Sequence, residues 1–458
     1  MHAQVAYQFT HAMLREVAYQ LQLPGDRAHL HGIVHDLLEG EPDVAHDLAF
    51  DLAEHARLAA LEPALSEERR RHLELAEMRH LERAAVAARR GFRNQDTYAI
   101  LLRLAQHSHA TTEQKLQALY GLAAVCLTLG RNDQAAGFGR QCIKLSANAE
   151  PAIQADALSQ AGIVFAHMHL VDDAEICFTQ AFAAAQSSGN KAALCSLLGG
   201  WSTVKQHRKD WPAAARLLEQ ALSLAHELND LGQITHLTTN RGILYYHQGQ
   251  LDDAEKIYEQ LLVAAVAANN LSTQCTVVGN LGTLRNAQGR WGEATVLLKK
   301  AIGLAHTLGD RRRELVHLGN LAVSAKKVGR RIESRAIGLE AISMARETGD
   351  NHALSLNAGN LAILLHEEHY YDEAHAAYLE ALQAAYKMGD GHLIGMWQCY
   401  LSLLGTLSGD TAMEARYAAS ARETYSALGK PKGLAYYDEM HKATADERDL
   451  VVEFTPQR

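Results

Sequence analysis

The stretch Cys275–Glu314, CTVVGNLGTLRNAQGRWGEATVLLKKAIGLAHTLGDRRRE, recurs twice further along the chain at constant spacing. Residues 315–354 and 355–394 follow its plan of a GNL phrase, a glycine turn and a second helical run that closes on Gly-Asp. A fixed period of this size is typical of a solenoid, in which each repeat packs against its neighbours. The sequence therefore predicts an all-α repeat array.

Small and large residues recur at fixed positions in eight predicted repeats, which together span residues 116–434, the last seven in strict 40-residue register. Position 8 is small and position 24 is mostly large, as in the pair Gly282 and Leu298. Because two helices approach closely only where side chains are small, position 8 marks a helix crossing and position 24 fills the adjoining space. Glycines such as Gly289 are expected to end the first helix in a left-handed turn. Aspartates are predicted as N-caps of first helices (Asp310, Asp350, Asp390) and of second helices (Asp172, Asp252, Asp372).

This set of positions resembles the tetratricopeptide repeat, with repeats as long as those of kinesin light chain and the Leu-Gly-Asn polarity scaffolds. The resemblance implies a right-handed superhelical solenoid whose first helices line a concave groove. Positions 2, 5, 6, 9, 12 and 13 of each repeat would then face that groove. The last repeat departs from the pattern at Glu414, and residues 435–458 are predicted to form a capping helix and a loose tail.

The N-terminal part of the chain does not share the period. Residues 1–60 predict a helical adapter segment with two amphipathic helices on either side of Pro24-Gly25-Asp26, where Asp26 is an N-cap candidate, and residues 61–115 predict linking helices. This part resembles the region after the ATPase module in bacterial STAND-type and AAA-type signalling regulators. The resemblance implies a sensor arm that passes ligand occupancy to an ATPase or output domain, although the sequence itself contains no GxxxxGK[ST] phosphate loop.

Composition narrows the range of partners. The 458 residues carry a net charge of −9, whereas nucleic-acid binders usually have a basic excess, so nucleic acid is disfavoured. The sequence has no apolar run of membrane-spanning length and no signal-peptide core at its start. Its six cysteines form no CxxC pair and are interpreted as reduced thiols. We expect a cytoplasmic protein without a membrane partner or a cofactor.

A ladder of asparagines occupies position 6 in four consecutive repeats: Asn240, Asn280, Asn320 and Asn360. A carboxamide both donates and accepts, so it can bond the two polar groups of an extended peptide backbone. Equivalent helices would lie roughly 10 Å apart, which is about three residues of extended chain. The ladder indicates a peptide site, or else each asparagine bonds a neighbouring helix and holds the stack. Position 5 is predicted to leave space on the groove floor for a ligand, since it is glycine in three repeats (Gly279, Gly319, Gly359).

Further side chains are predicted to reach the same groove: Thr283, Asn286, Tyr246, Lys326, Lys327 and His366. Lys326 and Lys327 lie in a basic stretch and would make the middle of the groove positive, which suits an acidic peptide or a phosphate group. A solvated charged face is the favoured alternative for this stretch. Tyr246 and Trp397 offer aromatic surface and are as well explained as packing residues.

Two histidine patterns in the sequence invite comparison with metal sites. His167, His207 and His247 share position 13 but would lie too far apart to bind one zinc ion, and we interpret them as residues near the groove rim. His31-Gly-Ile-Val-His35 has two histidines one turn apart, but a glycine stands where a zinc protease has its glutamate. A histidine-rich surface helix is favoured there, and no metal site is predicted.

The predicted function is binding without catalysis, by a regulatory or scaffold module that holds a protein or peptide in its groove. No paired carboxylates, nucleophile–base set or phosphate loop stands out in the sequence. The alternatives are a nucleic-acid-responsive regulator and, least favoured, an enzyme whose catalytic groups are far apart in sequence.

Overall fold

The computed structural model describes residues 19–39 and 48–428, which form twenty helices and no strand. The predicted first amphipathic helix and the predicted C-terminal capping helix lie outside these residues. None of the described helices combines the length and the apolar character needed to cross a membrane. The chain divides into two compact units, residues 1–125 and 126–458.

The first unit is built from helices that pack in chain order. These are α1 (Pro24–Glu39), α2 (Ala49–Ala59), α3 (Glu67–Arg90), α4 (Asn94–Gln106) and the first part of α5 (Thr112–Thr128). α1 packs on α2, α2 on α3, and α3 on α4. Asp26 is not an N-cap, because α1 already begins at Pro24, whose fixed φ suits the first position of a helix.

The second unit is a regular series of antiparallel helix pairs. After α5 come α6 (Asn132–Ser146), α7 (Pro151–His167), α8 (Val171–Ser188), α9 (Lys191–His207), α10 (Trp211–Glu227), α11 (Leu231–His247), α12 (Leu251–Ala267), α13 (Leu271–Ala287), α14 (Trp291–Thr307), α15 (Arg311–Lys327), α16 (Arg331–Thr348), α17 (Asn351–Glu367), α18 (Tyr371–Met388), α19 (Gly391–Ser408) and α20 (Thr411–Ala427). From α7 onward the odd-numbered helices start every 40 residues and are the first helices of the repeats. The fold is the predicted all-α repeat solenoid.

The helix crossings within a repeat are tight, as position 8 predicted. A Cβ atom at Gly162 would lie 2.8 Å from the ring of Phe178, so the large residue at position 24 occupies the space of the missing side chain. Where position 8 is serine, Ser202 Oγ donates to the carbonyl of Ala214 at 3.0 Å on the facing helix. The predicted roles of positions 8 and 24 are confirmed at these crossings.

The turns between helices use left-handed backbone at fixed positions. Eight residues that follow first helices have positive φ: Gly130, His169, Lys209, Gly249, Gly289, Gly329, His369 and Gly409. Only some are glycine, so the geometry of the turn is imposed by the repeat and not by the residue type alone. Asp310, Asp350 and Asp390 are N-caps as predicted, each accepting from a backbone N–H of the first turn. The prediction for Asp172, Asp252 and Asp372 is wrong, because these residues lie inside the first turn of their helices. Their negative charge there interacts favourably with the positive end of the helix dipole.

Position 5 links one repeat to the next. Each glycine there faces a large side chain of the following first helix: Gly279 faces His317, Gly319 faces Asn357, and Gly359 faces Trp397. The space predicted on the groove floor for a ligand is therefore filled by the protein itself. A first helix can lie this close to its neighbour only because the Cβ atom is missing.

Candidate functional site

A cavity that is open to solvent lies against the first helices in the second half of the array. Its lining comes from α11, α13, α15 and α17, with additions from the second helices α14 and α16. The lining residues are Tyr246, Thr283, Asn286, Ala287, Trp291, Asn320, Ala322, Val323, Lys326, Lys327, Ser334, Gly338, Asn357, Asn360, Leu361, Ile363 and Leu364.

Most of the predicted groove residues line this cavity. The structure brings together Tyr246, Thr283, Asn286, Asn320, Asn360, Lys326 and Lys327. It places Asn240, Asn280 and His366 elsewhere. The residues of the first group lie on four adjacent first helices, α11, α13, α15 and α17.

The cavity exists because Gly338 stands at position 24, which is large in most other repeats. In the preceding repeat Leu298 fills the equivalent space against Gly282. A Cβ atom at Gly338 would meet only Leu361, at 3.9 Å, while position 8 of the same repeat is the small Ala322. An apolar pocket is therefore left between α15 and α16. The signal for this pocket is present in the sequence, where glycine at position 338 breaks the pattern of large residues at position 24.

His366 is a correction to the predicted groove set. Its side chain is buried, and Nδ1 lies 3.2 Å from the hydroxyl oxygen of Tyr378. Burial lowers the pKa of His366 to about 4. Tyr378 occupies position 24 of that repeat and supplies a polar partner inside the helix pair, so position 12 turns inward here. In the preceding repeat Gly338 offers no such partner, and Lys326 at position 12 lines the cavity.

The asparagine ladder divides into two kinds of residue. Asn320 Nδ2 donates to Thr283 Oγ1 at 3.0 Å, and Asn286 Nδ2 donates to the backbone oxygen of Asn320 at 3.2 Å. These bonds join α13 to α15, so Asn320 holds the stack. The side chain of Asn360 has no hydrogen-bond partner among residues 19–39 and 48–428, and it lines the cavity. Asn280 Nδ2 is buried and also lacks a partner within the described part of the chain.

The positive charge at the cavity is smaller than the sequence suggested. Lys326 forms an ion pair with Glu367, and burial lowers its pKa. Lys327 has no carboxylate within ion-pair distance among the described residues, and its Nζ lies 5.6 Å from the ring centroid of Trp291. Trp291, which follows the glycine turn at Gly289, was not predicted as a cavity residue. One lysine next to an aromatic wall remains to attract an acidic group.

The position 13 histidines do not converge on one point. His247 stacks on Trp211, whereas His207 stacks on His169 with ring centroids 4.7 Å apart. His169 also stacks on His352 at 4.0 Å, and Arg312 donates to the backbone oxygen of His167 at 3.3 Å. The second unit thus contacts itself across many repeats, a feature that nearest-neighbour repeat reasoning did not predict.

These imidazoles are crowded by protein, yet they keep some contact with solvent. Desolvation is the main reason that the pKa of His207 falls to about 4, and the nearby Arg312 lowers it further. The neutral form of the ring is therefore favoured in the folded chain, which lets the imidazoles stack without mutual repulsion.

No family model matches the chain, and no curated protein is similar to it by sequence. Among solved structures, a Rap protein complexed with Competence and Sporulation Factor is 13% identical, with 73% of this chain and 100% of that chain covered and a TM-score of 0.53. NprR in complex with its cognate peptide NprX is 15% identical, with 75% and 97% covered and a TM-score of 0.51. A STAND protein with a tetratricopeptide repeat sensor from Pyrococcus horikoshii is 12% identical, with 97% and 67% covered and a TM-score of 0.48. The chain has the fold of the tetratricopeptide-repeat proteins.

Proposed function

We propose that the repeat array binds an extended peptide segment at the cavity and acts as a non-catalytic binding module. The observation that carries the proposal is the pocket left by Gly338, with apolar walls from Val323, Leu361 and Leu364 and a polar rim. An apolar side chain of the peptide would enter between α15 and α16. Asn360 would bond the peptide backbone, since its carboxamide has no partner among the described residues.

The structural similarity to two complexes supports the proposal that the array binds a peptide. The NprR structure is described as a complex with its cognate peptide, and the Rap structure as a complex with Competence and Sporulation Factor. The unpaired ammonium of Lys327 favours a peptide with a carboxylate near its apolar anchor. We infer that the partner is a protein or peptide with mild acidic character.

The finer proposal is that the array is the sensor arm of an ATPase-type signalling regulator. Its support is the resemblance of residues 1–115 to the region after the ATPase module in such regulators. Reading the DNA upstream of the codon for Met1 tests it. An in-frame ATPase module would support the sensor arm, whereas an unrelated upstream gene would leave the array as a scaffold.

The binding proposal is tested by filling the pocket. Peptides selected on the full chain from a random display library should lose at least tenfold in affinity for Gly338→Leu, because leucine at position 24 fills this space in the preceding repeat. Asn360→Ala should weaken the same peptides, since it removes a backbone partner. Gly303→Ala is the matched control, as Gly303 lies in α14 with no atom near its added Cβ.

Two outcomes would contradict the proposal. Either no peptide is enriched above background, or the enriched peptides bind Gly338→Leu as tightly as the unchanged chain. DNA and RNA binding measured across a salt series tests the alternative partner, because phosphate contacts give an affinity that falls steeply with salt.

A further inference from the structure

Three ligand side chains meet between α1 and α3 in the first unit. His35 and Glu39 lie one helical turn apart near the end of α1, and His80 lies in α3. His35 Nε2 is 3.7 Å from one Glu39 oxygen, and His80 Nε2 is 3.6 Å from the other. One ligand atom from each residue falls in a group within 4.8 Å. Two ligands of a tetrahedral zinc ion lie about 3.4 Å apart, so small side-chain shifts would complete the geometry.

The imidazoles are buried and lack the partners that buried polar groups normally have. The side chains of His35 and His80 are 0% and 1% exposed. His35 Nε2 and both ring nitrogens of His80 have no hydrogen-bond partner among the described residues. Buried polar atoms are nearly always paired in native proteins, and an orphaned atom calls for an explanation. A metal ion would satisfy one nitrogen of each ring at once.

A second layer of contacts orients the first ligand. His35 Nδ1 is 3.1 Å from Asp36 Oδ1, and Arg69 of α3 donates to both oxygens of Asp36 at 2.5 and 2.6 Å. Because an ionised carboxylate can only accept, Nδ1 carries the proton and the lone pair is left on Nε2, which points toward Glu39. This carboxylate–histidine arrangement is the one that normally supports a metal ligand.

We propose that His35, Glu39 and His80 bind a divalent transition-metal ion of the zinc type and that this ion holds α1 against α3. Two imidazoles and one carboxylate match the donors that zinc takes, and a water would complete four-coordination. Arg79 Nη2 is 3.5 Å from Glu39 and half exposed, so it can turn outward to leave the carboxylate to the ion. The prediction that the HGIVH motif lies on a surface helix was wrong for His35, which is buried. Glu39 and His80 supply the further ligands that the motif itself does not contain.

Metal-free full-length chain titrated with Zn²⁺, and separately with Co²⁺, tests the proposal. We expect one tight equivalent of Zn²⁺ and a Co²⁺ absorption spectrum typical of four-coordination. His35→Gln and His80→Gln should each weaken Zn²⁺ binding more than tenfold, and Asp36→Asn about tenfold through its effect on the His35 ring. In the unchanged chain Zn²⁺ should also slow hydrogen exchange in residues 24–39.

Two control variants separate this site from the other histidines. His72→Gln changes an exposed histidine on α3. His55→Gln changes the ring whose Nδ1 is 2.7 Å from His31 Nδ1. Both variants should still bind one equivalent of Zn²⁺ tightly. If His80→Gln fails to fold, Glu39→Gln replaces it, because Glu39 is one-third exposed at the end of α1. Absence of a tight equivalent, or an equivalent lost only in His55→Gln, would overturn the proposal.

Discussion

Gly359→Ala should destabilise the chain, although alanine normally favours a helix over glycine by about 1 kcal/mol. The added Cβ would lie within 2.5 Å of three ring atoms of Trp397. The ring cannot move aside without cost, because it is fully buried and its Nε1 donates to Ser355 Oγ at 2.8 Å. Overpacking costs about 1–3 kcal/mol and the loss of that hydrogen bond about 1 kcal/mol. We expect a net loss of about 2 kcal/mol in the free energy of unfolding.

Gly303→Ala provides the matched measurement. Gly303 is exposed within α14 and no atom lies near its added Cβ, so only the helix preference acts and the gain should be about 0.5–1 kcal/mol. Urea denaturation of both variants, followed by tryptophan fluorescence, compares midpoints at unchanged slope. The two substitutions should shift the midpoint in opposite directions. If Gly359→Ala stabilised the chain as Gly303→Ala does, the close contact between neighbouring first helices would be refuted.

Two further predictions concern polar side chains of the array. The pKa values of His317 and His366 are lowered to about 4, mainly by burial, so between pH 6.5 and about 4 the unfolded chain takes up protons that the folded chain does not. The free energy of unfolding should therefore be highest above pH 6.5 and fall as the pH falls, by up to about 1.4 kcal/mol per pH unit for each histidine. Urea midpoints measured from pH 7.5 to 4.5 test this. A midpoint that does not change with pH would contradict it. Asn320→Ala should cost about 1 kcal/mol because it removes the bond to Thr283, whereas Asn360→Ala should change the free energy of unfolding by less than about 0.5 kcal/mol. Equal losses in the same denaturation assay would show that the division of the ladder is wrong.

The repeat architecture could be predicted because it depends on local and periodic information. A 40-residue period, small residues at position 8 and glycine turns constrain each helix pair by its own sequence, and the structure follows them at Gly162 and Ser202. The face on which the groove residues lie was implied by the resemblance to the tetratricopeptide repeat. Seven of the ten predicted groove residues consequently line one cavity.

The role of each of these side chains depended on the residues it contacts, which the 40-residue period does not identify. Gly359 was assigned to a ligand, but its space belongs to Trp397 in the next repeat. His366 turned inward because Tyr378 offers a hydroxyl, and Asn320 was drawn into a bond with Thr283. Each outcome depends on which side chain a neighbouring helix places within a few ångströms.

The sequence by itself determined the helices and their pairing, because these repeat with the chain. The groove-facing positions were implied by the resemblance to the tetratricopeptide repeat. Glycine at position 24 already marks Gly338 in the sequence, but only the tertiary structure showed that a pocket forms there. The tertiary structure alone brought His35, Glu39 and His80 together and stacked His169 on His352. These features arise where one repeat breaks the pattern, or where residues far apart in sequence are brought together. Hydrogen bonds and packing act over a few ångströms, and only the folded chain sets which groups come that close.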